Sequence, residues 1–146
     1  MVEWWTDESA RAFALCCTIV CVEMMALAFV TPLLRTKRNR WLNEEDAKRF
    51  SGTVADCEHP DVARVVRVHG NQLESFVPFF ALGLLWLTFG GRGRLGVALF
   101  AAFALARSAH IFFYLTRRGR LRTASHTLSF FVLVALAGLL AWRAAS

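Results

Sequence analysis

The chain has 146 residues, of which 56% are hydrophobic and 19% are charged, and its formal net charge is +6. A mean hydropathy of +0.43 is typical of a membrane protein and argues against a soluble globular domain. A basic membrane protein favours an anionic leaflet or an anionic ligand as its partner, and no nucleic-acid-binding motif is present.

Four apolar segments are long enough to cross a bilayer as helices. They cover residues 11–34, 61–89, 95–116 and 123–142. The polar connection after the first segment contains Asn43 followed by three acidic residues, a pattern typical of an N-cap and the first turn of a short helix. We therefore predict that residues 1–146 form one all-α domain, an integral multi-pass bundle of four transmembrane helices.

Basic residues are concentrated in two of the three connections between these helices. The first and third connections, residues 35–60 and 117–122, hold ten Lys or Arg, whereas the opposite side of the bundle holds four. Because positively charged loops tend to stay in the cytoplasm, we predict that these two connections are cytoplasmic and that both termini lie on the non-cytoplasmic side.

The second apolar segment begins with a stripe of polar residues, which falls within about an 80° arc of one helix face. The stripe consists of Arg64, Arg67, Asn71 and Glu74. Acyl chains cannot solvate these groups, so they must face other helices or a ligand. The cytoplasmic ends of the other three helices bring further polar groups to the same depth. These are Arg35, Arg107, His110, Tyr114, Arg122, Thr123, Ser125 and His126.

This polar layer has two interpretations, a seam of interhelical salt bridges or a ligand site. We favour the ligand site because intramembrane ionisable residues are mostly functional. Five arginines face one carboxylate, Glu74, so a small anion with one cationic group is expected. Glutathione fits, since it has two carboxylates, an ammonium group and a thiol that an arginine would activate. The residues alone do not separate it from other small anions, and they favour His110 as a hydrogen-bonding helix residue.

Patterns typical of other chemistries are missing from the sequence. No Ser-His-Asp order and no glycine-rich phosphate loop occurs. The four cysteines do not have the spacing of a zinc site or of a disulfide framework. No metal is therefore predicted.

The sequence resembles the membrane-associated eicosanoid and glutathione metabolism family, MAPEG, in three stretches: DVARVVRVHGNQLESFVPFF, ARSAHIFFYL and RTASHTLS. The resemblance is to its microsomal prostaglandin E synthase and glutathione transferase branch and extends over nearly the whole chain. Two patterns support it, R-x-H-x-N-x-x-E-x-x-x-P from Arg67 to Pro78 and R-x-x-H-x-x-x-Y from Arg107 to Tyr114. It implies a four-helix protomer, a homotrimer, and glutathione bound between neighbouring protomers near the cytoplasmic face.

The resemblance also implies roles for individual residues. Arg122 matches the arginine that is taken to stabilise the glutathione thiolate, Thr123 supplies a hydroxyl beside it, and Asp46 matches a loop acid proposed to assist catalysis. His126 stands where the synthase has a tyrosine that packs on glutathione, and Glu23 stands where it has a lysine. The implied glutathione ligands are Arg67, Asn71, Glu74, His110, Tyr114 and Arg122, with Arg35 from the adjacent protomer.

Three classes of function are compatible with these features. The first is a glutathione-dependent membrane enzyme, a transferase or peroxidase acting on lipophilic electrophiles or hydroperoxides, with a prostaglandin E synthase-type isomerase as a close variant. The second is a small proton-coupled multidrug transporter, for which Glu23 would be the membrane acid. The third is a non-catalytic lipid-binding scaffold, which the presence of Arg122 and Thr123 disfavours.

Overall fold

The computed structural model describes residues 7–146, and helices form nearly all of its regular structure. The helices are α1 (Glu8–Arg38), α2 (Glu44–Arg49), α3 (Pro60–Thr88), α4 (Arg94–Leu115) and α5 (Gly119–Ala145). In the described chain, α1, α4 and α5 are long and apolar enough to cross a membrane. The fold is therefore that of an all-helical membrane protein. Helix α3 has 29 residues but differs from those three in the charges of its first half.

The helix boundaries follow from local capping chemistry. The Asp7 side chain accepts a hydrogen bond from the backbone N–H of Ser9 at 2.8 Å and so caps the start of α1. Asn39 ends α1 in the left-handed conformation, with a φ of 51°. The predicted N-cap of the short helix is confirmed, because the Asn43 side chain accepts a hydrogen bond from the Asp46 N–H at 3.0 Å.

The polar connection between α1 and α3 contains one feature that was not predicted. Strands β1 (Arg40–Trp41) and β2 (Thr53–Val54) pair in parallel, so the connection folds back on itself around α2. The buried ring of Trp41 stacks on Phe50 with 4.6 Å between the ring centroids. Aromatic stacking therefore gives this connection a small core of its own.

The main core lies where α1, α3 and α4 meet, with α5 closing one side. Helices α3 and α4 each contact both α1 and α5. Phenylalanine rings fill the centre: Phe79 stacks on Phe103 with 4.0 Å between centroids, and Phe13 lies 5.1 Å from Phe100. A second cluster of buried residues extends the core along the same helices and consists of Leu27, Val65, Val68 and Tyr114.

The outer faces of the helices carry large apolar side chains, as expected for a surface that faces lipid or another protein chain. On α1, Leu15, Met25 and Phe29 are each more than 60% exposed. On α5, Phe130 and Phe131 are also largely exposed. The fully buried polar side chains, such as Gln72 and Arg107, lie instead at contacts between helices.

We expect Gly83→Ala to destabilise the protein, because a methyl group at this position would overlap the Phe13 ring. That ring cannot move aside, since it is buried against Phe79 and Phe100. Overpacking of this kind costs about 1–3 kcal/mol. The measurement is the thermal unfolding temperature in detergent. Gly70→Ala, in the same helix with open space around it, is the control and should be neutral or slightly stabilising.

Candidate functional site

A fully buried arginine lies at the centre of the polar cluster. Three nitrogen atoms of the Arg107 guanidinium, on α4, have partners on the two neighbouring helices. Nε donates to Gln72 Oε1 at 2.7 Å, and Nη2 donates to the backbone carbonyl of Asn71 at 2.7 Å. Nη1 lies 3.3 Å from Nδ1 of His126 on α5. A single side chain therefore links α3, α4 and α5.

The same network continues to α1. Gln72 Nε2 donates to Glu23 Oε2 at 3.1 Å, and the Ser108 hydroxyl donates to Glu23 Oε1 at 2.5 Å. Glu23 is thus held by α3 and α4 and is connected to Arg107 through Gln72. We call the set Glu23, Gln72, Arg107 and Ser108 the buried polar chain. It places one partly buried acid and one fully buried guanidinium within one connected system.

Next to Arg107 on α4, His110 is almost completely buried. Its Nδ1 lies 3.1 Å from the carbonyl oxygen of Arg122, whereas its Nε2 is buried without a hydrogen-bond partner among the described residues. The ring lies 5.6 Å from Tyr114 and 5.4 Å from His126, measured between centroids. Because a buried polar atom without a partner is costly, Nε2 is a position at which a bound polar group would be stabilised.

A groove between α3 and α5 opens beside this cluster. It has a volume of about 400 Å³, within the range of small-molecule sites. Glu74, Ser75 and His126 supply its polar groups. The remaining lining is apolar and consists of Pro78, Leu82, Phe130, Leu133, Val134 and Ala137. The groove therefore suits a ligand with a polar group at one end and an apolar body along the helices.

Several residues predicted from the sequence do meet at this place. Asn71 and His126 contact Arg107, and His110 contacts Arg122. The guanidinium of Arg122 lies over the ring of Tyr114, 4.9 Å from its centroid, in a cation–π contact. The carboxylate-bearing Glu74 is exposed at the groove. These contacts bring α3, α4 and α5 together in one cluster.

Other predicted site residues lie on the surface or elsewhere in the protomer. Arg67 is exposed on α3. Thr123 is exposed on α5, and its hydroxyl donates to the backbone carbonyl of Gly119 at 3.2 Å. Asp46 lies in α2, within the folded connection, and no hydrogen bond in the described chain joins it to the Arg107 cluster.

Arg35, at the end of α1, is paired within its own protomer. Its guanidinium forms an ion pair with Glu58, and Nε of Arg35 donates to Glu58 Oε1 at 2.9 Å. A second set of ion pairs lies nearby, where Asp61 is 2.5 Å from Arg38 and 3.3 Å from Arg117. These pairs join the end of α1 and the connection between α4 and α5 to the start of α3.

The sequence interpretation missed Gln72, which the structure places at the junction of Arg107 and Glu23. The available signal was Glu23, an acid in the middle of an apolar helix that needs a polar partner. Gln72 adjoins Asn71 in the sequence but lies about 100° from it around the helix, so the 80° arc of the stripe does not include it. Within residues 7–146, no cluster of three or more His, Cys, Asp or Glu side chains has the arrangement of a metal site.

Comparison with known proteins extends these observations. The family model described as MAPEG family matches residues 13–142. The chain belongs to the MAPEG family. Prostaglandin E synthase of Homo sapiens is 32% identical over 141 residues, which cover 96% of this chain and 93% of that protein. The Bos taurus prostaglandin E synthase is 31% identical over 145 residues, covering 99% and 95%.

A second kind of MAPEG relative is similar to the chain over a slightly shorter region. Microsomal glutathione S-transferase 1 of Homo sapiens is 34% identical over 130 residues, which cover 86% of this chain and 82% of that protein. The resemblance identified from the three sequence stretches is therefore confirmed, including the branch of the family to which it pointed.

Proposed function

We propose that this MAPEG protein is a glutathione-dependent membrane enzyme that joins glutathione to lipophilic electrophiles or reduces lipophilic hydroperoxides. Its relatives named glutathione S-transferase and prostaglandin E synthase support this class of activity. The observation that carries the proposal is the polar cluster around Arg107 and His110 at one end of an apolar groove. Such a site receives a polar co-substrate from water and an apolar one from the membrane.

The residues present fit glutathione as the polar co-substrate. Arg67 is exposed and can hold a carboxylate, and Glu74 is exposed at the groove, where its charge suits an ammonium group. Nε2 of His110 is buried without a hydrogen-bond partner among the described residues, so a polar group that reached it would satisfy it. Asn71 has already committed its backbone carbonyl to Arg107, which leaves its side-chain amide for a peptide group.

Arg122 and Thr123 are the groups proposed to act on the thiol. A guanidinium beside the sulfur stabilises the thiolate, and the neighbouring hydroxyl would donate a hydrogen bond to it in exchange for its bond to the Gly119 carbonyl. In the transfer reaction, the thiolate sulfur forms a bond to the electrophilic carbon, and the leaving group departs with the electron pair of the broken bond. Asp46, from the folded connection, is proposed to assist by accepting the proton that the glutathione thiol releases when the thiolate forms.

The proposed quaternary structure is a homotrimer of four-helix transmembrane protomers. Arg35 would complete the glutathione site of the adjacent protomer, and the exposed apolar faces of α1 and α5 would supply both the trimer contacts and the lipid contacts. Basic residues are concentrated in the first and third connections, and positively charged loops tend to stay in the cytoplasm. We therefore propose that both termini lie outside the cytoplasm and that the site lies near the cytoplasmic face.

A prostaglandin E synthase-type isomerase is the second candidate, favoured by relatives of that name that match over more than nine-tenths of both chains. The transporter hypothesis is not favoured. It required Glu23 to be available for proton exchange, whereas its carboxylate is engaged by Ser108 and Gln72.

The deciding experiment is an activity screen of the purified protein with glutathione and an aryl halide, a lipid hydroperoxide or a prostaglandin endoperoxide. Loss of all three activities would contradict the proposal.

We expect Glu74→Gln to weaken glutathione binding more than Glu23→Gln does. Glu74 is exposed at the groove, and a charged hydrogen bond to an ammonium group contributes about 1.5–3 kcal/mol. Glu23 lies inside the buried polar chain and has no direct place in ligand contact. Isothermal calorimetry of both variants measures the difference. The site would be misplaced if Glu23→Gln abolished binding and Glu74→Gln left it unchanged.

We expect Arg122→Leu to keep most of the glutathione affinity and to lose most of the turnover. The carboxylates of glutathione have other arginines, whereas the thiolate loses its cation, so the pKa of the bound thiol rises toward about 8.5. Each unit of that rise costs about 1.4 kcal/mol in thiolate formation. Ultraviolet absorbance of the thiolate, titrated with pH, measures this directly. If the thiol pKa and the turnover were unchanged in Arg122→Leu, Arg107 would replace Arg122 as the candidate for stabilising the thiolate.

We expect the connection that contains Cys57 to be cytoplasmic. Cys57 is exposed between α2 and α3, so a membrane-impermeant maleimide should label it only from the cytoplasmic side of sealed vesicles. Cys57→Ser provides the control for labelling at the other cysteines. Labelling of Cys57 from the outside alone would contradict the predicted topology.

The oligomeric state has a separate test. The mass of the protein in detergent should be that of a trimer, and a dimer mass would exclude the trimer.

A further inference from the structure

Glu23 is an acid inside a long apolar helix, and the proposed reaction gives it no role. It lies near the middle of α1, within a helix apolar enough to cross a membrane, and it is only partly exposed. A carboxylate in this environment is costly unless it is hydrogen-bonded and balanced by a positive charge. Both of its oxygens accept hydrogen bonds, from Ser108 and from Gln72. Gln72 in turn contacts the guanidinium of Arg107.

We propose that Glu23 is a positioning residue that fixes the orientation of Arg107 through Gln72. An ionised carboxylate can only accept hydrogen bonds, and a guanidinium can only donate them. The amide of Gln72 therefore has one orientation that satisfies both neighbours, with Nε2 toward Glu23 and Oε1 toward Arg107. The catalytic consequence of this positioning rests on the proposed function.

The orientation of Arg107 matters because its other two nitrogens shape the polar end of the groove. With Nε bound to Gln72, Nη2 reaches the carbonyl of Asn71 and Nη1 reaches His126, a residue that lines the groove. A change at Glu23 is thus passed along three hydrogen bonds to His126. The groups expected to bind the charged ends of glutathione, Arg67 and Glu74, lie outside this chain of contacts.

Replacement of Glu23 by glutamine keeps the size of the side chain and removes its acceptor-only character. Glutamine can present either its carbonyl or its NH2 group to Gln72, so the amide of Gln72 is no longer held in one orientation. We expect Glu23→Gln to lower kcat about tenfold, short of the roughly hundredfold loss that a misplacement of about 1 Å can cause, while the glutathione KM changes less than about twofold. Glu8→Gln, an exposed acid in the first turn of α1, is the matched control and should change neither.

The decisive variant moves the carboxylate one step along the chain. In the double variant Glu23→Gln/Gln72→Glu, the new carboxylate contacts Arg107 directly and the amide at position 23 can donate to it. We expect this variant to regain most of the lost kcat. A Glu23→Gln protein with unchanged kcat would overturn the proposal, as would a double variant that regains its thermal unfolding temperature without regaining turnover.

A stability cycle separates this proposal from the proposed function. We expect the unfolding temperatures of Glu23→Gln, Arg107→Gln and their double variant to be non-additive, because the two residues act through one shared partner. Were the wild-type protein inactive with glutathione in every assay, the proposed function would fail and the cycle would decide the linkage by itself. Additive effects in the cycle would overturn the linkage whatever the activity.

Discussion

The burial of the Arg107 guanidinium is the constraint on which the rest of the structure depends. A guanidinium has five N–H donors and cannot lose its charge, so an apolar bundle can enclose it only by supplying acceptors. Those acceptors come from separate helices: an amide and a backbone carbonyl from α3 and a ring nitrogen from α5. Helix α1 joins through the carboxylate of Glu23. The relative positions of the helices are therefore set by hydrogen bonds as well as by packing.

The phenylalanine core and the polar cluster divide the bundle along its length. Rings such as Phe79 and Phe103 pack at one level through non-directional apolar contacts. Helices α1 and α5 also present wide exposed apolar surfaces. The polar cluster requires fixed directions and occupies another level. The groove between α3 and α5 spans the boundary, since Glu74 and His126 lie at its polar end and Phe130 and Leu133 line its apolar part. An amphipathic ligand matches that division.

The helices and the polar layer could be predicted from the sequence because both depend on local signals. Hydropathy located the apolar segments, and Asn43 followed by acidic residues indicated the start of α2. The pairing of β1 with β2 could not be predicted, because two-residue strands carry no alternation of polar and apolar positions. The partners of Glu23 and Arg35 were also missed, since each contact joins residues far apart in the chain. Helical spacing identifies residues on one face of a helix but does not show which neighbouring helix they contact.

Glu58 competes with external anions for Arg35, because the two side chains form an ion pair within the protein. A carboxylate or phosphate that binds the Nε edge of Arg35 does so by exchange, because Glu58 already occupies that edge and this pair must break as the external one forms. The gain is then the difference between two similar charged hydrogen bonds, so Arg35 discriminates among anions more than it adds affinity. A weak acceptor such as chloride would not displace the Glu58 carboxylate from Arg35. Exchange also removes one of the ion pairs that hold the end of α1 against the segment before α3, while the pairs of Asp61 with Arg38 and Arg117 remain.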